Sequence, residues 1–134
     1  MDDWNYCVTT LPKVSRTFAL NISVLKGDLH KSILVAYLFC RTIDTVEDAC
    51  QLEASHKIKL LLHFASILKD TKNNSAALDQ WITNTSVVDG SPADIDLLKN
   101  TRRVFNIFES LQENHKQHII SSVCTMAQGM AYFQ

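Results

Sequence analysis

The sequence predicts an all-α protein built as one helical bundle. Its 134 residues include only three Gly and two Pro, too few for the many tight turns of an all-β fold. Apolar residues recur at the three- and four-residue spacing of helices from residue 15 to residue 133. A composition of 46% apolar and 20% charged residues is typical of a globular chain, and the length allows one domain with a sizeable core.

The N-terminal half predicts a short helix over residues 3–10, with Pro12 suited to the start of the next one. That second helix would cover Ser15–Leu25 and end at Lys26–Gly27. Asp28 is the predicted N-cap of a long third helix that ends near residue 50.

Further helices are predicted over Leu52–Lys69 and Ser75–Ile82, separated by a polar loop at residues 70–75. Ser91–Pro92 starts a helix whose apolar pattern continues to residue 111. Residues 116–134 keep a helical pattern to the penultimate position without a terminating residue. We therefore expect the chain to be the N-terminal piece of a longer protein.

The stretch Ile33–Asp48 is the centre of the predicted bundle. On a helical wheel its polar side chains fall within about 60° of one another, or one residue to the side. This acidic seam consists of Tyr37, Arg41, Asp44, Glu47 and Asp48. Apolar residues occupy the other faces, namely Leu34, Val35, Leu38, Phe39, Ile43 and Val46. The pattern predicts a core helix whose single polar stripe faces a cavity.

The acidic seam has the chemistry of a metal site. Its three carboxylates repel one another and are poorly tolerated in an apolar setting without a cation. Mg²⁺ is the natural cation, because it prefers oxygen ligands and is usually held by one or two carboxylates plus substrate phosphate. Arg41 could neutralise the acids or reach a phosphate oxygen. A solvated acidic helix end with an Arg41–Asp44 pair is the alternative that stays open.

Charge and targeting signals exclude several classes of protein. A net charge of −1 gives no electrostatic reason to expect nucleic acid as a partner. The acidic N-terminus MDDWNYC is not a signal peptide, and no apolar run approaches the roughly 18 residues of a membrane span. The four scattered Cys favour free thiols in a reducing compartment. We expect a cytoplasmic protein whose membrane association, if any, is peripheral or comes from sequence outside these 134 residues.

Three stretches resemble the squalene/phytoene synthase family of head-to-head prenyl transferases. They are SRTFALNI at Ser15–Ile22, AYLFCRTIDTVEDA at Ala36–Ala49 and QGMAYF at Gln128–Phe133. Within the second, DTVED looks most like the first aspartate-rich motif of squalene synthases, whereas phytoene synthases more often have D-E-x-x-D. The resemblance implies an isoprenoid-synthase-type helical bundle, with residues 1–134 as the N-terminal part of its single catalytic domain.

The resemblance also implies roles for individual residues. Asp44, Glu47 and Asp48 match the family's Mg²⁺ ligands, and Tyr37 precedes them as a further catalytic position. The segment near the substrate diphosphate is matched by Ser15, Arg16 and Phe18. Arg41, with Arg16, matches the arginines that contact NADPH phosphates in squalene synthases. The expected hydrophobic pocket residues are Phe39, Gly129 and Met130.

The family's activity implies farnesyl diphosphate, or another prenyl diphosphate, as the substrate. Two farnesyl diphosphates would condense to presqualene diphosphate, and squalene-type enzymes would then reduce it with NADPH. The family's second aspartate-rich motif, of the D-Y-x-x-D type, does not occur in this sequence. We therefore expect the chain alone to be inactive. A phytoene-type condensation and a catalytically dead helical module that binds a lipid or partner helix stay open as alternatives.

Overall fold

The computed structural model describes residues 1–70 and 74–134, and in that part of the chain it contains helices and no strand. The helices are α1 Asp3–Val14, α2 Arg16–Ile22, α3 Gly27–Asp48, α4 Ala54–Lys69, α5 Ser75–Asn84, α6 Pro92–Lys99, α7 Thr101–Glu109 and α8 Glu113–Tyr132. A short 3₁₀ turn, Thr85–Val87, follows α5. The all-α prediction is confirmed, while the middle of the predicted loop at 70–75 lies outside the described residues.

Helix α3 lies at the centre of the bundle and contacts α1, α4, α6, α7 and α8. The apolar residues predicted for its core-facing sides are all fully or almost fully buried, namely Leu34, Val35, Leu38, Phe39, Ile43 and Val46. Helix α8 runs along α4 and also packs on α3. The prediction of a core helix is confirmed.

Aromatic rings fill the middle of the core. Phe39 is fully buried, and its ring centroid lies 5.6 Å from Phe64, 4.8 Å from Phe105 and 5.5 Å from Phe108. Trp81 is also fully buried, 5.1 Å from Phe64, and donates its indole N–H to a backbone carbonyl of α4 at 2.9 Å. These contacts join α3, α4, α5 and α7 into one unit.

The helix ends in the N-terminal half differ from the prediction. Helix α1 continues through Pro12, because the buried Leu11 keeps the last turn packed on the core although Pro12 cannot donate a backbone hydrogen bond. Gly27 begins α3 at φ +63° instead of ending the preceding helix. Asp28 does not cap α3, since its carboxylate accepts a hydrogen bond from Gln112 at 2.9 Å and ties α3 to the start of α8.

The helix predicted from Ser91 to residue 111 is split at Asn100. The Asn100 amide donates to the backbone carbonyl of Asp96 at 2.9 Å, a local bond of the kind that competes with helix continuation. The predicted start is confirmed, because the Ser91 hydroxyl accepts the Asp94 backbone N–H at 3.2 Å. None of the described helices has the length and apolar character needed to cross a membrane.

Candidate functional site

The acidic seam emerges from the core towards the carboxyl end of α3. Tyr37, Arg41, Asp44 and Glu47 are half-buried, and Asp48 in the last turn is exposed. The polar stripe therefore lies at the boundary between the apolar interior and solvent. Charged groups in this position are partly desolvated, and their neighbours strongly affect their ionisation.

A cleft of about 150 Å³ opens beside the seam, between α3 and the segment that leads into α6. Its walls are formed by Arg41, Thr45, Asp48, Cys50, Asp89, Gly90 and Asp94. The Asp89 carboxylate accepts the backbone N–H groups of Cys50 at 3.2 Å and Gln51 at 3.1 Å. Gly90 lies so close to Thr45 that a Cβ placed on this glycine would be 3.5 Å from the Thr45 methyl group. The segment is thus held against the end of α3.

Arg41 forms a bidentate ion pair with Asp94 across this cleft. Nε of Arg41 donates to Oδ1 of Asp94 at 3.0 Å, and Nη2 donates to Oδ2 at 3.0 Å. The Asp94 side chain is 12% exposed and that of Arg41 is 34% exposed. The hydrogen bond to Asp94 is the main reason why the pKa of Arg41 is raised. The alternative of a local Arg41–Asp44 ion pair is therefore wrong.

Asp94 is a residue of the site that the sequence did not indicate. Its position suggested only a first-turn helix residue after the Ser91–Pro92 start signal. Its partner Arg41 is 53 positions away, and no local pattern links the two residues. The sequence carried no signal for this pair.

In the part of the chain that the structure describes, no cationic side chain is paired with the carboxylates of the seam. Among the described residues, Asp44, Glu47 and Asp48 take part in no ion pair. The pKa of Asp44 is raised, first by burial and then by the charge of Asp48, and Arg41 offsets only part of this. Ionised together, these side chains repel one another, and a bound cation would relieve the repulsion.

The donor set fits a magnesium ion that is only partly ligated by protein. In the described part of the chain, no three His, Cys, Asp or Glu side chains are arranged to hold a metal by themselves. Mg²⁺ does not require such a group, because it commonly keeps several waters and takes one or two carboxylates together with substrate phosphate. The exposed Asp48 and the half-buried Asp44 meet that requirement.

Lys57 of α4 is a second residue near the seam that the sequence did not indicate. Its ammonium group donates to the backbone carbonyl of Glu47 in the last turn of α3. Lysine side chains commonly satisfy free carbonyls at helix ends. The bond places a positive charge beside the acidic end of α3 without pairing it with a seam carboxylate.

The structure brings the Ser15–Phe18 segment onto α3. Ser15 caps α2 by accepting the Phe18 backbone N–H at 3.3 Å. The Phe18 ring stacks on that of Tyr37 with centroids 4.0 Å apart and an interplanar angle of 14°. Arg16 lies exposed in the first turn of α2, and among the described residues it forms no ion pair.

An apolar groove of about 290 Å³ runs between the first half of α3 and the first half of α8. It is lined by Leu29, Ser32, Ile33, Ala36, His115, His118, Ile119 and Ser122. On the helical wheel, Ile33 and Ala36 lie on the same side of α3 as Asp44 and Glu47. The Ser32 hydroxyl and Nδ1 of His115 are hydrogen-bonded at 2.8 Å within this groove.

The three residues predicted to line a hydrophobic pocket lie in two different parts of the bundle. Phe39 does not line the groove, because it is fully buried in the aromatic core on another side of α3. Gly129 and Met130 are half-buried in the last two turns of α8. That end of α8 reaches the seam, where the Gln134 amide lies 3.4 Å from a carboxylate oxygen of Glu47.

The fold and the site together define a class of protein. Solved structures of TcSQS with the ligands BPH1237 and E5700 superpose with a TM-score of 0.81 at 28% identity, over 98% of this chain and 35% of theirs. The chain therefore has the all-α isoprenoid-synthase fold, with an acidic seam on its central helix.

The family follows from the sequence comparisons. The squalene/phytoene synthase family model matches residues 11–134, and the chain belongs to that family. Squalene synthase from Mus musculus is 32% identical over 128 residues, which is 95% of this chain and 28% of that protein. The enzyme from Nicotiana benthamiana is 29% identical over 98% of this chain and 29% of its own length, and squalene synthase BSS from Botryococcus braunii is 31% identical over 98% and 26%. The chain thus spans less than a third of these relatives.

Proposed function

We propose that this chain is the N-terminal part of a head-to-head prenyl transferase of isoprenoid biosynthesis. The reaction would be the Mg²⁺-dependent condensation of two farnesyl diphosphates to presqualene diphosphate, followed by reduction with NADPH in a squalene-type enzyme. The observation that carries the proposal is a group of carboxylates on α3 that form no ion pair among the described residues, two of which, Asp44 and Glu47, lie on the same side of the helix as the apolar groove. Such an arrangement suits a ligand with an anionic head and a hydrocarbon tail.

Each part of the site has a role in this proposal. Asp44 and Asp48, with Glu47 beside them, would hold Mg²⁺ together with the substrate diphosphate. When bound, Mg²⁺ would stabilise the negative charge that develops on the departing diphosphate. Asp94 engages Nε and Nη2 of Arg41, and the N–H groups of Nη1 could donate to a phosphate oxygen. The groove would take the hydrocarbon tail and exclude water.

Tyr37 and the α2 segment form the second part of the proposed site. The stack of Phe18 on Tyr37 holds the first turn of α2 against the seam. Arg16 in that turn is exposed, and it would be available to phosphate groups of the substrate or of NADPH. We assign Ser15 the structural part of this arrangement, since its side chain caps α2.

Binding of Mg²⁺ and inorganic pyrophosphate to the isolated chain tests the site. We expect calorimetry to show pyrophosphate binding that requires Mg²⁺ and is weakened at least tenfold by Asp44→Asn and by Asp48→Asn. Asp79→Asn is the matched control, because Asp79 is an exposed carboxylate paired with Arg102 on α5 and α7. Wild-type affinity in both seam variants would refute the assignment.

The isolated 134-residue chain should not turn over substrate. Its sequence contains the acidic seam but not the D-Y-x-x-D motif that supplies the second set of carboxylates in the family. Radiolabelled farnesyl diphosphate incubated with the chain and Mg²⁺ should therefore give no prenyl product. A D-Y-x-x-D motif in the coding sequence after residue 134 would support the transferase, and DTVED favours a squalene-type over a phytoene-type product. We expect a cytoplasmic enzyme, and any membrane contact made by residues 1–134 would be peripheral.

One observation favours a second candidate, a catalytically dead helical module that binds a lipid or a partner helix. Tyr132 and Phe133 at the end of α8 are each 83% exposed. Large exposed aromatic side chains are typical of interaction surfaces. Loss of vesicle binding in Tyr132→Ser/Phe133→Ser, without any Mg²⁺-dependent pyrophosphate binding by the wild type, would favour this function over the transferase.

A further inference from the structure

The Arg41–Asp94 ion pair has a consequence for the neighbouring acids. Arg41 and Asp44 are three residues apart on α3, a spacing at which opposite charges on a helix attract each other. Arg41 nevertheless directs its guanidinium to Asp94 on α6 through two hydrogen bonds of 3.0 Å. Bidentate charge-assisted bonds of this kind are stronger than a single exposed helix pair.

The position of Asp94 is itself fixed by the fold. It lies in the first turn of α6, where its backbone N–H donates to the capping hydroxyl of Ser91 at 3.2 Å. Gly90 packs against both Thr45 of α3 and Asp94. A Cβ added to Gly90 would lie 3.5 Å from the Thr45 methyl group and 3.8 Å from the Cβ of Asp94. Because only 12% of the Asp94 side chain is exposed, its carboxylate is held against α3 and is not a mobile surface group.

We propose that Asp94 is a positioning residue that keeps Arg41 away from Asp44, so that the seam carboxylates stay free to bind a divalent cation. Asp94 would not contact the cation. Without it, the guanidinium would lose its partner and turn to Asp44, the nearest seam carboxylate along the helix. A cation would then have to compete with Arg41 for Asp44. This inference rests on the proposed magnesium site and adds the residue that maintains it.

Calorimetric titration with Mg²⁺ alone tests the inference on the intact chain. We expect Asp94→Asn to weaken Mg²⁺ binding about fivefold, the factor that corresponds to the attraction between two unit charges about 4 Å apart in a water-like medium. Asp94→Glu, which keeps a carboxylate opposite Arg41, should bind within about twofold of the wild type. Asp79→Asn removes the carboxylate of a remote Arg pair and should leave the affinity unchanged.

The double variant distinguishes positioning from a merely structural role. If Asp94 acts through Arg41, then Asp94→Asn/Arg41→Gln should bind Mg²⁺ as tightly as Arg41→Gln alone, because no guanidinium remains to occupy Asp44. A structural defect at α6 would persist in the double variant. Unchanged Mg²⁺ affinity in Asp94→Asn would overturn the inference. So would a double variant that binds Mg²⁺ as weakly as Asp94→Asn alone. Wild-type chain that binds no Mg²⁺ through Asp44 would overturn the proposed function as well, so the two failures are distinguishable.

Discussion

Replacing Phe39 by Ala should greatly lower the free energy of unfolding and should not alter a substrate pocket. Phe39 is fully buried and has three aromatic neighbours, Phe64, Phe105 and Phe108, with ring centroids between 4.8 and 5.6 Å away. Truncating a buried Phe to Ala typically costs about 3–5 kcal/mol, and aromatic pairs of this geometry contribute about 0.5–1.5 kcal/mol beyond burial. With three such pairs, we expect the upper half of that range, about 4–5 kcal/mol.

That loss is large compared with the roughly 5–15 kcal/mol by which domains are stable. Urea denaturation followed by Trp fluorescence should show a lower midpoint with an unchanged m-value, since Trp81 lies 5.1 Å from Phe64 in the same core. Phe39→Leu keeps most of the volume and should cost about 1–2 kcal/mol, which keeps the measurement accessible. Leu62→Ala, at a side chain that is 46% exposed, is the control and should cost under about 1 kcal/mol.

A cost below about 2 kcal/mol for Phe39→Ala would refute this reasoning. It would show that Phe39 is not enclosed by the aromatic core and would return it to the predicted pocket lining. Weaker binding of a prenyl ligand with unchanged stability would point the same way. The two measurements together separate a core residue from a substrate contact.

Three further outcomes follow from the structure. Because burial raises the folded-state pKa of Asp44, its ionisation opposes folding as pH rises through that pKa, so Asp44→Asn should be more stable than wild type in urea at pH 7 and equal to it near pH 3. Trp81→Phe should cost about 1–3 kcal/mol in thermal denaturation, because the Leu60 carbonyl loses its buried partner. Cys50 is exposed, whereas Cys7 is buried with a pKa raised to about 12, so mass spectrometry should find Cys50 alkylated and Cys7 unmodified in the native chain.

The sequence predicted the helices well where a long apolar pattern decided the structure. The predicted end of helix α3 near residue 50 agrees with its observed end at Asp48, and the predicted core residues Leu34 and Leu38 are buried. The predicted helix start at Ser91 is also confirmed. Predictions were wrong where a tertiary contact overrode a local signal, as at Asp28, whose carboxylate serves Gln112 instead of capping a helix.

The candidate site was only partly predictable for the same reason. The residues of the acidic seam share one face of α3 by helical geometry alone. Their partners come from other helices: Asp94 from α6, Phe18 from α2 and Lys57 from α4. Periodicity also identifies Phe39 as apolar without telling whether a core or a cavity lies beside it. Such choices depend on chain segments far apart in sequence.

The direction of α3 gives the acidic seam an additional electrostatic property. Glu47 and Asp48 occupy the last turn of this helix, and that turn contains no basic residue. The negative end of the helix macrodipole therefore coincides with these carboxylates. The C-terminus of α3, equivalent to about half a negative charge, therefore adds to the charge of the acids. The backbone itself favours a cation at this position before any ligand side chain is counted.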